Sequence, residues 1–313
     1  MPSLLWLQTG ACSGDSMSIL NSEEPPIHDL LINYKVEFLW HPSLSLANRG
    51  GLLKVIDDIY KDKQELTVLC VEGSIINGPN GTGMFDTFHG TPKRDIVLKL
   101  ANKALIVIAM GTCSSFGGIP ASRSNPSEST GVQFTKNNPG GLLPATWKSK
   151  AGLPVINISG CPAHPNTMVQ TILAILNGIE IKLDKFNRPL DFFNIDVHQG
   201  CTRNEYHEYD VEETEFGKNG CLFFNLGCQG PYTSASCNQV LWNNKSSKTR
   251  SGVPCFGCTK ADFPKDKNLF ATEKIGSVPL ELPGGVKRPN YMAFKGLSKA
   301  ATPAHLKERK NKV

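Results

Sequence analysis

Nine of the ten cysteines in this 313-residue chain fall into three sets whose spacing suits metal ligation. The first set begins at Cys12-Ser13-Gly14-Asp15, where an Asp occupies the place of the second Cys in a Cys-x-x-Cys motif. The other two sets are His198, Cys201, Cys221 and Cys228, and Cys237, Cys255 and Cys258. Thiolates bind iron–sulfur clusters and, with imidazole, zinc. Because the sequence indicates no substrate pocket, the pattern favours an electron carrier over a catalyst that acts alone.

The elements that must position these residues follow from the apolar pattern. Over about the first 180 residues, short apolar runs alternate with helical patterns, which is typical of the α/β class with a doubly wound parallel sheet. The predicted strands are residues 4–7, 36–40, 66–71, 104–110 and 154–158, and the predicted helices are residues 16–21, 51–60, 92–102 and 165–177. The run 105–110 is apolar without alternation, as expected of a strand that is buried on both faces.

Polar residues follow four of the predicted strands: Cys12, Glu72, Cys113 and Cys161. Carboxyl ends of parallel strands share one edge of the sheet, where ligands bind in a crevice. We therefore expect three thiols and a carboxylate to converge there, namely Cys12, Asp15, Cys113 and Cys161. Such a set can hold an iron–sulfur cluster, either with an oxygen at the fourth corner or as a three-iron cluster on the thiolates alone. The alternative is that Asp15 only caps the helix that follows it.

The remaining candidates have open alternatives. On spacing alone, the set with His198 suits zinc as well as an iron–sulfur cluster. The set with Cys258 shows only three thiols, which suits a three-iron cluster better than tetrahedral zinc. Glu72 is interpreted as a proton-relay or partner-contact carboxylate, or equally as a hydrogen-bonded group at a strand end. Cys70 lies on a predicted strand and is interpreted as a small buried hydrophobe.

Composition limits the class of protein. The net charge is +5, with much of it in the last few residues, and no basic stripe is interleaved with aromatic residues, so nucleic acid is not an expected partner. No apolar run is long enough to span a bilayer. Because residues 4–7 already predict a core strand, we expect no leader and a cytoplasmic location, where ten cysteines favour metal ligation over disulfides.

Three regions are predicted along the chain. Residues 1–184 form the α/β domain, and residues 185–263 form an irregular domain in which helical periodicity fades and Gly, Asn and Cys become frequent. Metal binding would stabilise such a segment, because the binding free energy becomes folding free energy. Residues 264–313 are rich in Pro and Lys and are expected to form an extended arm.

The ordered series of motifs resembles the small subunit of NiFe hydrogenases. The series contains Val71-Glu72-Gly73-Ser74, Gly111-Thr112-Cys113, Gly160-Cys161-Pro162, His198-x-x-Cys201, Cys221-Leu222-x-x-x-Leu226-Gly227-Cys228-x-Gly230-Pro231 and Cys255-x-Gly257-Cys258. The resemblance extends from residue 4 to about residue 263. It implies a flavodoxin-like domain followed by an irregular iron–sulfur domain, and a separate large subunit that carries the nickel–iron centre.

The resemblance also implies three clusters. Cys12, Cys113 and Cys161 match ligands of the proximal cluster, with Asp15 in the fourth place, so this cluster is expected to be 3Fe–4S or an Asp-ligated 4Fe–4S. Cys237, Cys255 and Cys258 match ligands of a medial 3Fe–4S cluster. His198, Cys201, Cys221 and Cys228 match ligands of the distal cluster, 4Fe–4S or 3Fe–4S. Two departures from the family pattern stand out: the Asp at position 15, and a spacing from Cys221 to Cys228 that is one residue longer than in the commoner members.

The implied function is electron transfer from hydrogen oxidation on the large subunit to a quinone or another acceptor. Residues 7–15, 21–25 and 40–43 are most similar to the cytosolic uptake group, which includes cyanobacterial and actinobacterial enzymes. This group implies a higher oligomer of heterodimers and peripheral contact with the inner face of the cell membrane. The alternatives are a hydrogen-sensing hydrogenase subunit, a zinc-stabilised binding module, and a quinone-reductase subunit related to that of respiratory complex I.

Overall fold

The structure, a computed structural model, describes residues 1–46, 49–266 and 269–310. The chain divides into two compact units. The first consists of Met1–Phe193 and Cys258–Pro264, and the second of Asn194–Gly257 and Lys265–Val313. The domain boundaries placed after residues 184 and 263 stay predictions.

The first unit contains nine strands and seven helices within its described residues. Its strands are β1 (Ser3–Gln8), β2 (Glu37–Trp40), β3 (Val68–Glu72), β4 (Thr87–Phe88), β5 (Thr91–Pro92), β6 (Ile106–Met110), β7 (Phe134–Thr135), β8 (Asn138–Pro139) and β9 (Ile156–Ile158). Its helices are α1 (Gly14–Ile19), α2 (Ile27–Ile32), α3 (Arg49–Tyr60), α4 (Lys93–Lys103), α5 (Gly111–Phe116), α6 (Pro165–Leu176) and α7 (Leu190–Phe193).

Five of these strands form one parallel sheet in the order β2-β1-β3-β6-β9. Counting only its own strands, this is the 2-1-3-4-5 order of flavodoxin-like folds, so the predicted fold class is confirmed. All five predicted strands are present, with ends that differ by at most two residues from the prediction. The four predicted helices correspond to α1, α3, α4 and α6.

The sheet is covered on both faces, which explains its continuous apolar runs. Along β1, Leu5 and Leu7 pack into a core that α3 and α4 complete, whereas Leu4 and Trp6 pack into a second core on the other face, which includes residues of α6. Cys70 lies in this second core with no exposed surface, and burial raises the pKa of its thiol. The prediction that Cys70 serves as a small hydrophobe is confirmed.

The second unit is irregular, as predicted. Its elements are α8 (Asn204–Glu208), α9 (Phe223–Leu226), a 3-10 helix (Gly230–Tyr232), β10 (Lys274–Ile275), β11 (Val278–Pro279), α10 (Arg288–Ala300) and α11 (Ala304–Lys310). Its apolar core is small and contains three cysteines beside a few larger side chains: Cys221, Cys228 and Cys255 with Val197, Leu222, Phe223 and Leu226.

The extended conformation expected for residues 264–313 is wrong where α10 and α11 form. A proline breaks a helix when it lies in the helix interior. Pro289 lies instead in the first turn of α10, where backbone N–H groups have no intrahelical acceptor, so its missing N–H costs nothing. The less exposed residues of α10, Tyr291, Lys295 and Ser298, recur at helical spacing. The extent of the arm stays a prediction. Among the helices of the described residues, none has the length and apolar character needed to cross a membrane.

Candidate iron–sulfur sites

The carboxyl edge of the sheet brings the first predicted ligand set together. Cys12 follows β1, Asp15 lies in α1, Cys113 lies in α5 directly after β6, and Cys161 follows β9. Burial raises the pKa of the Cys161 thiol to about 12, and the neighbouring Cys258, Cys113, Asp15 and Cys12 raise it further. A Cβ at Gly14 would lie 3.1 Å from the Cys12 sulfur and 3.6 Å from the Pro162 Cβ, so the segments after β1 and β9 meet at this edge. Because the pKa values of the Cys113 and Cys161 thiols are raised, both are neutral until a positively charged metal centre replaces their protons.

Asp15 is buried, with 7 % of its surface exposed, and its Oδ1 accepts a 2.7 Å hydrogen bond from the backbone N–H of Ala163. Burial raises the pKa of this carboxyl to about 7, the bond from Ala163 opposes that shift, and the charge of Glu72 adds to it. The side chain does not cap α1, whose N-cap residue is Ser13 with no side-chain cap. The alternative interpretation of Asp15 as a helix cap is therefore wrong.

Gly111 shows how closely the backbone approaches this carboxylate. Its φ is +82°, and a Cβ placed there would overlap the Asp15 carboxylate. On the other side of the crevice, a Cβ at Gly118 would lie 2.6 Å from the Cys113 sulfur. Both glycines keep open the space around the ligand atoms, as expected where backbone must lie close to a bound group.

Glu72, at the end of β3, holds the segment that carries Cys12 and Asp15. It is 1 % exposed, and its Oε1 accepts hydrogen bonds from the backbone N–H groups of Asp15 (3.0 Å) and Ser16 (3.2 Å). Its Oε2 accepts from Trp6 Nε1 (2.8 Å), Gln8 Nε2 (3.0 Å) and the Ser16 hydroxyl. Glu72 therefore caps α1. This geometry matches the hydrogen-bonded strand-end interpretation, and a role in proton relay or partner contact stays a prediction.

The second predicted set lines one cavity in the second unit. His198, Cys201, Cys221 and Cys228 all contribute to its wall, together with Arg203 and Phe223. Because three of these residues are Cys and one is His, the cavity wall offers the types of donor that bind an iron–sulfur cluster or zinc. Burial lowers the pKa of His198, which favours the neutral ring that can ligate a metal.

Backbone N–H groups point at these sulfurs, an arrangement that stabilises thiolates. Cys221 accepts from Phe223 N at 3.4 Å, Cys201 from the backbone of Arg203, and Cys228 from the backbones of Gly230 and Cys255. Burial is nevertheless the larger effect and raises the pKa of the Cys221 and Cys228 thiols to about 12. Without a metal centre, both thiols are protonated at neutral pH.

The third set is divided between the two units: Cys258 belongs to the first, and Cys237 and Cys255 belong to the second. Cys255 and Cys258 are both buried. In the first unit, the carbonyl of Cys258 accepts a hydrogen bond from the Thr112 hydroxyl, next to Cys113. The joint role of the three cysteines stays a prediction.

A search of residues 1–46, 49–266 and 269–310 finds no group of three or more His, Cys, Asp or Glu side chains that is placed to hold a single metal ion.

Arg203 is a residue of the second unit that sequence reasoning missed. It is 7 % exposed, and its guanidinium donates to the carbonyls of Thr249 (2.5 Å), Lys218 (2.6 Å) and Gly220 (2.6 Å). It thereby connects the segment just before Cys221 to Thr249, which also lines the cavity. The only signal in the sequence is an Arg two residues after Cys201, which by itself does not distinguish a buried brace from a surface cation.

The chain matches two protein families and is similar to several known proteins. Residues 12–175 match the family described as NADH ubiquinone oxidoreductase, 20 kDa subunit, and residues 193–271 match the C-terminal family of NiFe/NiFeSe hydrogenase small subunits. The F420 non-reducing hydrogenase I small subunit of Methanosarcina mazei is 33% identical over 287 residues, which cover 83% of this chain and 73% of the relative. The periplasmic NiFeSe hydrogenase small subunit of Desulfomicrobium baculatum is 32% identical over 285 residues, covering 85% and 86%.

Solved structures give the same result. The actinobacterial-type NiFe hydrogenase of Ralstonia eutropha H16 superposes with a TM-score of 0.79 at 30% identity and covers 96% of this chain and 90% of that one. A parallel sheet with cysteines at its carboxyl edge, followed by an irregular cysteine-rich unit, is typical of iron–sulfur subunits of oxidoreductases. The chain belongs to the family of NiFe hydrogenase small subunits. Its family implies iron–sulfur clusters in this subunit and a nickel–iron centre in the large subunit with which it pairs.

Proposed function

We propose that this chain is the electron-transfer small subunit of an uptake NiFe hydrogenase that passes electrons from hydrogen to a quinone or a similar acceptor. The observation that carries the proposal is the wall of one cavity formed by His198, Cys201, Cys221 and Cys228. A second predicted ligand group at the edge of the sheet supports it, in which Asp15 is buried, Cys113 and Cys161 are half-buried and Cys12 is exposed. Iron–sulfur clusters bound at such sites supply one-electron transfer.

The ligands we propose follow the sequence prediction. The proximal cluster is held by Cys12, Cys113 and Cys161 with Asp15 as the fourth ligand, and the distal cluster by the four residues of the cavity. The medial cluster is held by Cys237, Cys255 and Cys258. The chain's own contribution is to orient these groups and keep water away, since Cys221, Cys228, Cys255 and Cys258 are all buried.

An oxygen ligand at the proximal position is the distinctive part of this proposal. Asp15 supports it because its carboxylate is buried, its charge acts on the Cys113 and Cys161 thiols, and its Oδ1 is fixed by Ala163. Electron paramagnetic resonance of the purified complex, first as isolated and then under hydrogen, tests the ligand sets. Three-iron signals that disappear under hydrogen support a working relay, and zinc in place of iron contradicts it.

We assign the chain to the uptake type because it is similar to an actinobacterial-type NiFe hydrogenase over 96% of its length. The competing function is hydrogen sensing, in which the enzyme turns over slowly. Hydrogen consumption by the purified complex with a soluble quinone analogue and with methylene blue separates the two. Sustained consumption with the quinone supports uptake, whereas weak consumption with both acceptors supports a sensor.

We also propose a cytoplasmic location with assembly into an oligomer of heterodimers. The ten cysteines support a reducing compartment. Three relatives of this family are described as periplasmic enzymes, so the location needs its own test. Cell fractionation with activity staining would give the location, and the mass of the native complex would give the number of heterodimers.

A further inference from the structure

A buried carboxylate lies beside one proposed ligand of the distal cluster. Glu212 is the register partner of Cys221 in a parallel bridge, and the bonds Cys221 N to Val211 O and Glu213 N to Cys221 O, both 2.9 Å, fix this register. The side chain of Glu212 is 6 % exposed, and its Oε2 is buried without a hydrogen-bond partner among the described residues. A carboxylate in this environment is poorly screened by water, so its charge acts strongly on nearby groups.

Its counter-charge comes from α10. Lys295 Nζ lies 3.5 Å from Glu212 Oε1 and 3.2 Å from Asp210 Oδ1, and the same ammonium stands 3.7 Å from the centre of the Phe224 ring. His207 Nδ1 is 3.1 Å from Glu212 Oε1. Tyr291, also on α10, packs its ring against His207. α10 thus supplies a positive partner for a carboxylate whose backbone pairs with that of Cys221, a residue of the cavity wall.

In addition to burial, the negative charge of Glu212 raises the pKa of two neighbouring groups, Cys221 and Tyr291. Burial raises the pKa of the Cys221 thiol, and the negative charge of Glu212 raises it further. The pKa of Tyr291 is raised in the same way, by burial first and then by Glu212. A negative charge that disfavours a thiolate also disfavours an added electron on a metal centre bound to that thiolate.

We propose that Glu212 and Lys295 are a pair of positioning charges that set the reduction potential of the distal cluster. The proposal rests on the ligand set given under Proposed function. Glu212 lowers the potential because its charge opposes reduction, and Lys295 raises it because an ammonium favours reduction. Hydrogen bonding and charge near the sulfurs are among the means by which proteins tune such potentials.

Two nearly isosteric substitutions, Glu212→Gln and Lys295→Met, each remove one charge of the pair and leave the other in place. We expect the midpoint potential of the distal cluster to rise in the first and to fall in the second. Each should change the ratio of oxidised to reduced cluster at a given potential by about tenfold, which is 59 mV for a one-electron couple. The measurement is an anaerobic potentiometric titration of the purified complex, followed by electron paramagnetic resonance, with iron content measured on every sample.

Matched controls are Glu215→Gln and Lys299→Met. Glu215 is an exposed carboxylate three residues from Glu212, and Lys299 is an exposed cation on the same helix as Lys295. Neither control should shift the potential. Shifts of opposite sign in the two test variants support the proposal. Unchanged potentials, shifts of the same sign, or loss of the cluster in both variants overturn it, because a purely structural pair cannot give opposite shifts.

A separate variant tests whether the proposed distal ligands themselves are correct. Cys201→Ser must alter the signal assigned to the distal cluster in the otherwise unchanged complex. If it does not, the proposed distal ligands are wrong, whatever the potentials of the Glu212 and Lys295 variants. If it does, the two charge variants test the tuning pair alone.

Discussion

Replacing Glu72 with Gln should destabilise the proximal site because one acceptor oxygen is lost. Two backbone N–H groups donate to Oε1, and Trp6, Gln8 and the Ser16 hydroxyl donate to Oε2. A glutamine amide accepts at only one atom, so in either orientation at least two buried donors lose their acceptor. Each buried donor left unsatisfied costs about 1–3 kcal/mol, which gives a loss of about 2–6 kcal/mol. That is a large part of the stability of a typical domain.

The measurement is anaerobic thermal unfolding of the purified complex together with the proximal resonance signal and iron content. A suitable control is Glu128→Gln, since Glu128 also accepts two backbone N–H bonds, from Asn80 at 2.7 Å and Gly81 at 2.8 Å, but in a loop that water reaches. The control should be close to wild type because water can replace the lost acceptor. A Glu72→Gln complex with the melting temperature, iron content and proximal signal of wild type would refute the reasoning.

Three further predictions concern the same unit. Asp15→Cys should change the spin count or the midpoint potential of the proximal cluster, and an unchanged spectrum and potential would show that the carboxylate is not a ligand. Gly111→Ala should lower the free energy of unfolding by about 1–2 kcal/mol because alanine is strained in the left-handed backbone conformation, and by more because its Cβ would clash with Asp15. The readouts are a lower melting temperature and a weaker proximal signal. The control Gly81→Ala, at a glycine with a similar backbone and open space around it, should show only the backbone strain. Burial lowers the pKa of His41 from 6.5 to about 4, so its contribution to stability is complete above pH 6.5 and is lost as pH falls towards 4. By pH 5.5 the free energy of unfolding should have fallen by about 1.4 kcal/mol relative to His41→Phe, and parallel pH profiles of the two proteins would contradict this.

The sheet could be predicted from sequence because its central strands are apolar on both faces, and short apolar runs such as residues 106–110, rich in β-branched residues and separated by helical patterns, favour buried strands. The first ligand set followed from the same fact, since parallel strands place their carboxyl ends together. α5 was not predicted, because it has only six residues and the first five, Gly-Thr-Cys-Ser-Ser, are small and show no apolar helical pattern. α10 was hidden by its proline and lysines, which are also typical of loops.

The role of Glu72 was beyond the reach of sequence patterns for a different reason. Its donors Trp6 and Asp15 are 66 and 57 residues away along the chain, and only the sheet register brings them to its carboxylate. The pairing of Glu212 with Lys295 is similar, because the two residues are 83 positions apart. A motif defines ligands by local spacing, whereas the charges around them are set by tertiary contacts.

The short segment Cys258–Pro264 has a consequence for how this chain can be made. It belongs to the first unit, where Ala261 packs with Phe116 and Phe134, and where the carbonyls of Thr259 and Phe263 accept bonds from Arg188 and Lys136. During synthesis, the first unit is therefore incomplete until residue 264 has left the ribosome, after all of the second ligand set has been made. A truncated gene that ends at residue 193 would yield the complete sheet in a first unit that lacks one of its own segments. Separate expression of the two units would need a circular permutation or a peptide supplied in trans.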